Sequence, residues 1–237
     1  MIQVEGIFSG GSSISAPIIG EDFNWSGGDG TYQVLDDGGS NWRIKFLSSG
    51  TFTPLKNMVI DVFLVGGGGG AGSSYCGEGG AGYTTTVRSV VLTANTAYSI
   101  VVGAAGTNGN PSSAGGETTA FTASAAGGKN TSNGTSSSKR PGGAGGSGGA
   151  GYVSPVATTT GGTDGGDGTS SATTGGKGQG TTTREFGEAD GTLYASGGGS
   201  NLTATVSNSG NGGRNGITSI APADGIVVIR QHKEVAA

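Results

Sequence analysis

Apolar and polar residues alternate in several short runs along the chain, and nowhere does an apolar residue recur at the helical period. In NWRIKF (41–46), Trp42, Ile44 and Phe46 share one face, with Arg43 and Lys45 on the other. In NMVIDVFLV (57–65), Met58, Ile60, Val62 and Leu64 oppose Val59, Asp61, Phe63 and Val65. A period of two puts successive side chains on opposite faces of a strand. YTTTVRSVVL (83–92) and AYSIVVG (97–103) read as two strands joined by TANT, a hairpin turn. ETTAFTA (117–123), LTATVS (202–207) and GIVVIRQ (225–231) complete the set. Several short strands without helices predict an all-β fold, a β-sandwich. The final strand, Gly225 to Gln231, is expected to pair with the strand that ends at Val65. That pairing would close the sandwich and make residues 66–216 a long glycine-rich insertion. Residues 1–50 hold both tryptophans, Trp25 and Trp42, and read as a small β module that attaches to or extends the sandwich of residues 51–237.

The most apolar strand runs into VFLVGGGGGAG (62–72), and 43 of the 54 glycines lie between Gly66 and Gly216. Fixing a glycine costs more backbone entropy than fixing any other residue, so something must offset it. GGAGGSGGAG (142–151) supplies a clue, because two of every three positions are glycine. Threefold spacing also appears at Gly66, Gly69 and Gly72, at Gly162, Gly165 and Gly168, and at Gly175 and Gly178. Three residues per turn is the period of the polyproline-II helix, which has no internal hydrogen bonds. A GGX repeat in that conformation has two bare faces, so neighbouring helices can approach until main chain bonds to main chain. The expectation is a polyglycine-II bundle seeded by the sandwich. Collagen is excluded, since the chain has six prolines in all.

Leu, Ile, Val and Phe number 42, about 18% of the chain, yet the net charge is only −4 and the apolar residues cluster in strands, unlike a disordered chain. The twelve basic residues are scattered, which argues against nucleic-acid binding. Cys76 is the single cysteine, so no intrachain disulfide can form. MIQVEGIFSGG lacks the basic start and apolar run of a signal peptide, and no stretch is long enough to span a membrane.

Catalytic chemistry is sparse, and no cofactor or metal is expected. Gly67, Gly69 and Gly72 match a dinucleotide-binding spacing, but no helix pattern follows, and there is no P-loop. His232, the only histidine, is expected to be a solvent-exposed tail residue. Asp164 and Asp167, and the group Glu185, Glu188 and Asp190, read as solvated loop carboxylates. What remains is surface. Tyr152 follows the GGAGGSGGAG run, taken as one helix, and Arg184, Phe186 and Tyr194 lie between glycine segments. Aromatic side chains there either cap the bundle against water or, with the arginine, contact a ligand.

WRIKFLSSGTFTP, MVIDVFLVGGGGGAG, GGAGYTTTVRSVVLTANTAYSIVVGAAG and ADGIVVIRQ together resemble the glycine-rich proteins encoded among tail and virion genes of bacteriophages, particularly of Firmicutes hosts. The resemblance covers most of residues 40–231. The arrangement is also similar to the glycine-rich region of the anaplastic lymphoma kinase ectodomain, where a tumour-necrosis-factor-like sandwich carries a polyglycine bundle. The tail-fibre tip adhesins of T-even-like phages are similar in using a polyglycine-II sandwich whose distal loops bind host receptors. In those adhesins the glycine blocks are regular, whereas here they are short and irregular outside residues 142–151. The resemblance implies a virion protein, released by lysis and contacting other virion proteins; the reading is a non-enzymatic adhesin for a bacterial surface receptor, with a purely architectural capsid decoration or head-fibre protein and a glycan depolymerase as the alternatives. Tyr152, Arg184, Phe186 and Tyr194 are then the candidate receptor contacts, and fibre symmetry together with the sandwich likeness suggests a homotrimer.

Overall fold

The computed structural model describes residues 16–38, 41–135, 141–151, 153–154, 157–158, 183–199, 202–215 and 219–232. They form two five-stranded antiparallel sheets and a two-stranded hairpin. The first sheet contains β1 (Phe23–Trp25), β4 (Gly50–Pro54), β7 (Tyr98–Val101), β8 (Thr118–Ala120) and β9 (Ala123–Ala125), in the order β1-β4-β7-β8-β9. The second contains β2 (Tyr32–Gly38), β3 (Asn41–Phe46), β5 (Met58–Val65), β6 (Thr84–Leu92) and β12 (Ile226–Gln231), in the order β2-β3-β12-β5-β6. The hairpin pairs β10 (Val153–Ser154) with β11 (Ala157–Thr158).

The last strand pairs with β5, as the apolar pattern predicts, and its other edge pairs with β3. Its register aligns Ile44, Ile229 and Val62 in one row across the sheet, and Phe46, Val227 and Leu64 in the next. These rows face the first sheet and pack with Phe23, Trp25, Phe52 and Ile100 into one buried core. Phe46 is fully buried, with its ring 4.7 Å from Trp25 and 5.5 Å from Phe52. Each such side chain stabilises the fold by about 1.5–3 kcal/mol on burial, and the aromatic contacts add to that. The opposite face of the second sheet carries Phe63, Val65, Ile226 and Val228, which form a second buried cluster with Phe186, Tyr194 and Ala195. The second sheet is therefore covered on both faces.

Three expectations are corrected. The segment TANT does not make a hairpin, because β6 pairs with β5 and β7 pairs with β4 and β8, so the connection crosses between sheets. ETTAFTA is two short strands around a turn in which Phe121 takes φ 55. LTATVS is not a strand: neither sheet includes it, and Val206 is exposed. The N-terminal strands extend both sheets, with β1 on β4 and β3 on β12.

Between Val65 and Ile226 the described chain returns to the second sheet once, as β6, and supplies β7, β8 and β9 to the first sheet; glycine-rich segments fill much of the rest. Residues 77–83 show how these segments are held. The N–H groups of Glu78 and Ala81 donate to the carbonyls of Ala150 and Ser147. Those of Gly79 and Gly82 donate to Gly213 and Gly210, and those of Gly80 and Tyr83 to Lys129 and Ala126. Residues three apart thus address the same neighbour, and successive residues address different ones. The carbonyls repeat the rule: Gly80 and Tyr83 accept from Gly69 and Gly66, Glu78 and Ala81 from Gly143 and Gly146, and Gly79 from Gly198. The segment is ringed by main chain, and its backbone groups are satisfied without a sheet. A Cβ built at Gly79 would overlap the Gly69 carbonyl, and one at Gly80 the Ala144 carbonyl. The glycines are required by close approach.

The GGAGGSGGAG run is not one straight element. Gly143 and Gly146 run alongside Glu78 and Ala81 in the same direction, while Ser147 and Ala150 return in the opposite one, and Gly149 N–H donates to Gly143 O. The chain folds back around Ser147, a turn that a threefold repeat does not mark.

Candidate functional site

Thr118 ties the glycine segments to the sandwich, donating to Val65 O (2.7 Å) and accepting from Gly103 N–H (2.9 Å). The sandwich end and the far end of these segments carry different chemistry, and Arg184, Phe186 and Tyr194 fall at the first.

Arg184, Phe186 and Tyr194 lie on residues 183–195, a strap that crosses the outer face of the second sheet. Glu185–Gly187 is a single 3-10 turn, and Phe186 takes φ 57 within it. Phe186 is 2% exposed, beneath the Arg230 guanidinium (4.2 Å) and 6.1 Å from Phe63. Tyr194 is 6% exposed, its ring 5.5 Å from Phe63. Both serve as core residues of the strap, which corrects the expectation of surface contacts. Aromatic rings next to the bare outer face of a sheet gain more by covering it than by meeting water. Arg184 is half-buried and donates to Gly191 O (3.0 Å). Tyr152 lies outside the described residues, as do Asp164 and Asp167.

The strap is locked by charge. Glu185, expected in solvent, is 2% exposed and receives Arg43 Nη1 (2.5 Å) and Lys45 Nζ (3.2 Å). Arg43 also makes two 2.7 Å bonds to Asp37. Those bonds and Glu185 hold the guanidinium firmly charged, well above its usual range. Tyr194 Oη donates to Glu185 Oε2 (3.2 Å), and burial followed by that negative charge pushes its phenol upward.

Behind the strap lies Asp61, fully buried in β5. Arg230 stands opposite it in the β12 register and reaches Oδ2 at 3.1 Å. Arg88 approaches at 3.2 Å, Ser89 N–H donates at 3.2 Å, and His232 Nδ1 lies 2.6 Å from Oδ1. Burial works to raise this carboxyl, but the contacts from His232, Ser89 and Arg230 together hold it below the ordinary aspartate value. His232 is thus a partner of a buried acid, with 22% side-chain exposure, which corrects its reading as a free tail residue. The sequence held one signal of this cluster, a lone Asp inside an otherwise apolar strand. Which cations answer it depends on strand order.

An open cleft of about 270 Å³ separates the strap from the β2–β3 edge, lined among others by Asp37, Asn41, Arg43, Glu188, Asp190 and Arg230. Asp37, Glu185 and Glu188 each hold a guanidinium (Glu188 to Arg230, 2.7 Å), so the cleft is an ion-paired joint. Among the described residues, no group of three or more His, Cys, Asp or Glu could hold a metal ion. No helix among them is long and apolar enough to cross a membrane.

The far end is built from residues to which the sequence pattern assigned no binding role. Asn108 Oδ1 accepts Ala71 N–H (2.8 Å), and its Nδ2 donates to Arg214 O and Ile220 O. Thr131 Oγ1 accepts Gly72 N–H and donates to Gly77 O. Asn133 Oδ1 accepts Ser73 N–H (2.7 Å), and Gly134 N–H donates to Ser74 O (2.9 Å). Ser112 donates to Thr131 O, and Asn130 Nδ2 donates to Ser112 O. Side-chain amides and hydroxyls therefore end the main-chain ladder and join three loops into one surface. Glu78 sits just inside, accepting Asn215 N–H at 2.6 Å, and burial pushes its carboxyl up to about 7. Burial likewise raises the Cys76 thiol.

A family model described as a glycine-rich domain matches residues 47–230. The chain therefore belongs to the glycine-rich domain family. A search of the curated proteins finds none that matches it.

Proposed function

We propose that this chain is a non-enzymatic structural protein of a bacteriophage particle, displayed on the tail or another virion surface, which binds a bacterial surface receptor through loops at the far end of a polyglycine-II bundle. The carrying observation is the threefold rule of main-chain hydrogen bonding around residues 77–83, in which a Cβ added at Gly77, Gly79, Gly80 or Gly82 would overlap a neighbouring carbonyl. That pattern is what close-packed polyglycine-II helices require. It supports a rigid mount that offers proteases little side chain to grip, a useful property on an exposed particle. Family membership in the glycine-rich domains supports the same reading. The paired state of Asp37, Glu185 and Glu188 favours a binding role over hydrolysis, because glycoside cleavage needs two carboxyl groups flanking a substrate. In this reading the sandwich end contacts other virion proteins, and the particle-bound form is a homotrimer.

The test is binding of fluorescently labelled protein to intact cells from a panel of bacterial strains. Strain-selective binding is the expected result. Absence of binding across a panel that includes the true host would overturn the adhesin reading and favour a capsid decoration or head-fibre role.

A further inference from the structure

We infer that Asn108 and Asn211 are latent deamidation sites, shielded from reaction while the glycine bundle is closed and unable to let it close again once they have reacted. The inference stands on main-chain geometry and is independent of the adhesin reading above.

The chain contains four Asn–Gly dipeptides, beginning at Asn108, Asn133, Asn211 and Asn215. Asn–Gly is the dipeptide most open to this chemistry, because glycine puts no side chain in the way of its own nitrogen and lets the backbone turn freely. The glycine nitrogen gives up its proton and attacks the asparagine Cγ. A new C–N bond closes a five-membered imide, the bond to Nδ2 breaks, and ammonia leaves with that proton. Water then opens the imide at either carbonyl, to aspartate or to isoaspartate. Both products carry an added negative charge, and isoaspartate routes the main chain through Cβ and Cγ, one atom longer.

Two of these dipeptides make the same clasp. Ala71 N–H donates to Asn108 Oδ1 (2.8 Å), and the Ala71 carbonyl accepts from Gly109 N–H (2.9 Å). Ser196 N–H donates to Asn211 Oδ1 (2.8 Å), and the Ser196 carbonyl accepts from Gly212 N–H (2.9 Å). Each dipeptide thus grips both main-chain groups of one residue on a neighbouring segment. The gripping groups are the two that the reaction needs. The glycine nitrogen holds its proton on a carbonyl, away from base, and the side-chain carbonyl cannot swing toward that nitrogen without leaving a main-chain N–H unpaired. The Asn108 amide is fixed further, since its Nδ2 donates to Arg214 O and Ile220 O. Asn211 and Gly212 are buried, and a Cβ at Gly212 would overlap the Gly79 carbonyl.

Asn133 provides an internal comparison. Its Oδ1 accepts from Ser73 N–H, but Gly134 N–H goes to the next residue, Ser74, and both Asn133 and Gly134 are only half-buried. Asn215–Gly216 lies partly outside the described residues.

Reaction destroys the clasp. Aspartate at 108 has no donor for Arg214 O and Ile220 O and sets a carboxylate against two carbonyls. Isoaspartate at either position moves the glycine N–H along by one main-chain bond, so it and the side-chain oxygen no longer meet one residue. Where segments touch main chain to main chain, the added atom has no space to occupy.

The experiment holds the full chain in mildly alkaline buffer, folded in one arm and unfolded in urea in the other. Both arms are followed by peptide mass spectrometry with isoaspartate-specific methyl labelling. In urea all four sites should convert at similar rates. In the folded arm Asn108 and Asn211 should convert about a hundredfold more slowly or better, the factor set by about 2.8 kcal/mol of local opening. Asn133 should convert faster than either. Chains diluted out of urea after increasing times are then separated into refolded and unfolded fractions. Modification at Asn108 or Asn211 should be confined to the fraction that does not refold, whereas modification at Asn133 should appear in both. Conversion of Asn108 or Asn211 in the folded protein at the urea rate would overturn the shield. Equal protection at Asn133 would take the shielding away from the clasp. Refolded chains that carry the modification at Asn108 or Asn211 and melt with the parent would overturn the claim that reaction bars closure.

Discussion

The sandwich and the glycine bundle solve the same folding problem with opposite materials. The sandwich is held by side chains: Phe46, Phe52, Ile229 and Val62 exclude water between two sheets, and the backbone pairs in ordinary ladders. In the bundle, backbone excludes water from backbone, and a side chain is an obstruction. The lesson is that burial and hydrophobicity separate here. Gly66 to Gly70 are as buried as the strand before them, although they bring no apolar side chain. Their order comes from satisfied N–H and C=O groups at close approach.

The comparison can be broken most severely by adding volume where the bundle has none. Gly79→Val should cost about 4 kcal/mol or more, because its Cβ meets the Gly69 carbonyl and main chain cannot move aside cheaply. Hydrogen exchange should show residues 66–83 losing protection in this variant. The converse change in the sandwich removes volume: Phe46→Ala should cost about 3–4 kcal/mol by chemical denaturation. If Gly79→Val were tolerated better than Phe46→Ala, the two-material picture would fail.

Next in size is the buried acid that joins sandwich to strap. Asp61→Ala leaves Arg230 without one of its two acidic partners in a buried site and should cost roughly 3 kcal/mol. The same residue sets an acid limit. Its folded-state value lies below its unfolded one, so its contribution is complete above about pH 4 and is lost as pH falls through the folded value. Removing it should flatten the acid arm of the stability profile.

Glu78 works in the other direction. Its carboxyl is raised to about 7 in the fold from 4.5, so the folded state holds a proton that the unfolded state has released between those values. Stability contributed at this site should therefore fall as pH rises from about 4.5 to about 7 and then level off. The full shift sets an upper bound of roughly 3 kcal/mol. Water reaching this partly exposed residue screens it to about 1 kcal/mol. Glu78→Gln should abolish that slope, measured as the change in melting temperature between pH 5 and 8. The smallest effect belongs to Ala81→Gly, at about 1 kcal/mol, since Ala81 has room for its methyl group against the second core cluster. Gly79→Val and Ala81→Gly together test whether the bare and decorated positions of one segment differ as described.

Much of the sandwich was legible in the chain. The alternation in NWRIKF and MVIDVFLV named the inward residues of β3 and β5, and the pairing of β12 with β5 followed from two apolar strands bracketing the glycines. The crossover at TANT was not legible, because a short turn joins strands of one sheet or of two with the same residues. Phe186 and Tyr194 were recognisable as unusual in a glycine-rich stretch. Their sequence neighbours did not reveal that they close over Phe63, more than 120 residues earlier in the chain. The far-end loops were not legible as one surface, since serine, threonine and asparagine are common throughout.

What the sequence determined by itself was the local conformational menu. Period-two patterns made strands, runs of glycine permitted close main-chain contact, and the absence of a 3.6-residue pattern left no long helix among the described residues. Only the tertiary structure decided which segments became neighbours: where GGAGGSGGAG turns back, which cations meet Asp61, and which loops share the far end. The physical reason is that a glycine carries no side chain to name its partner. In the sandwich, complementary side-chain shapes select a register, whereas backbone amides bond equally well to any backbone carbonyl. Which carbonyl is met follows from the strands that launch and receive each glycine segment, and those strands are far apart in the chain.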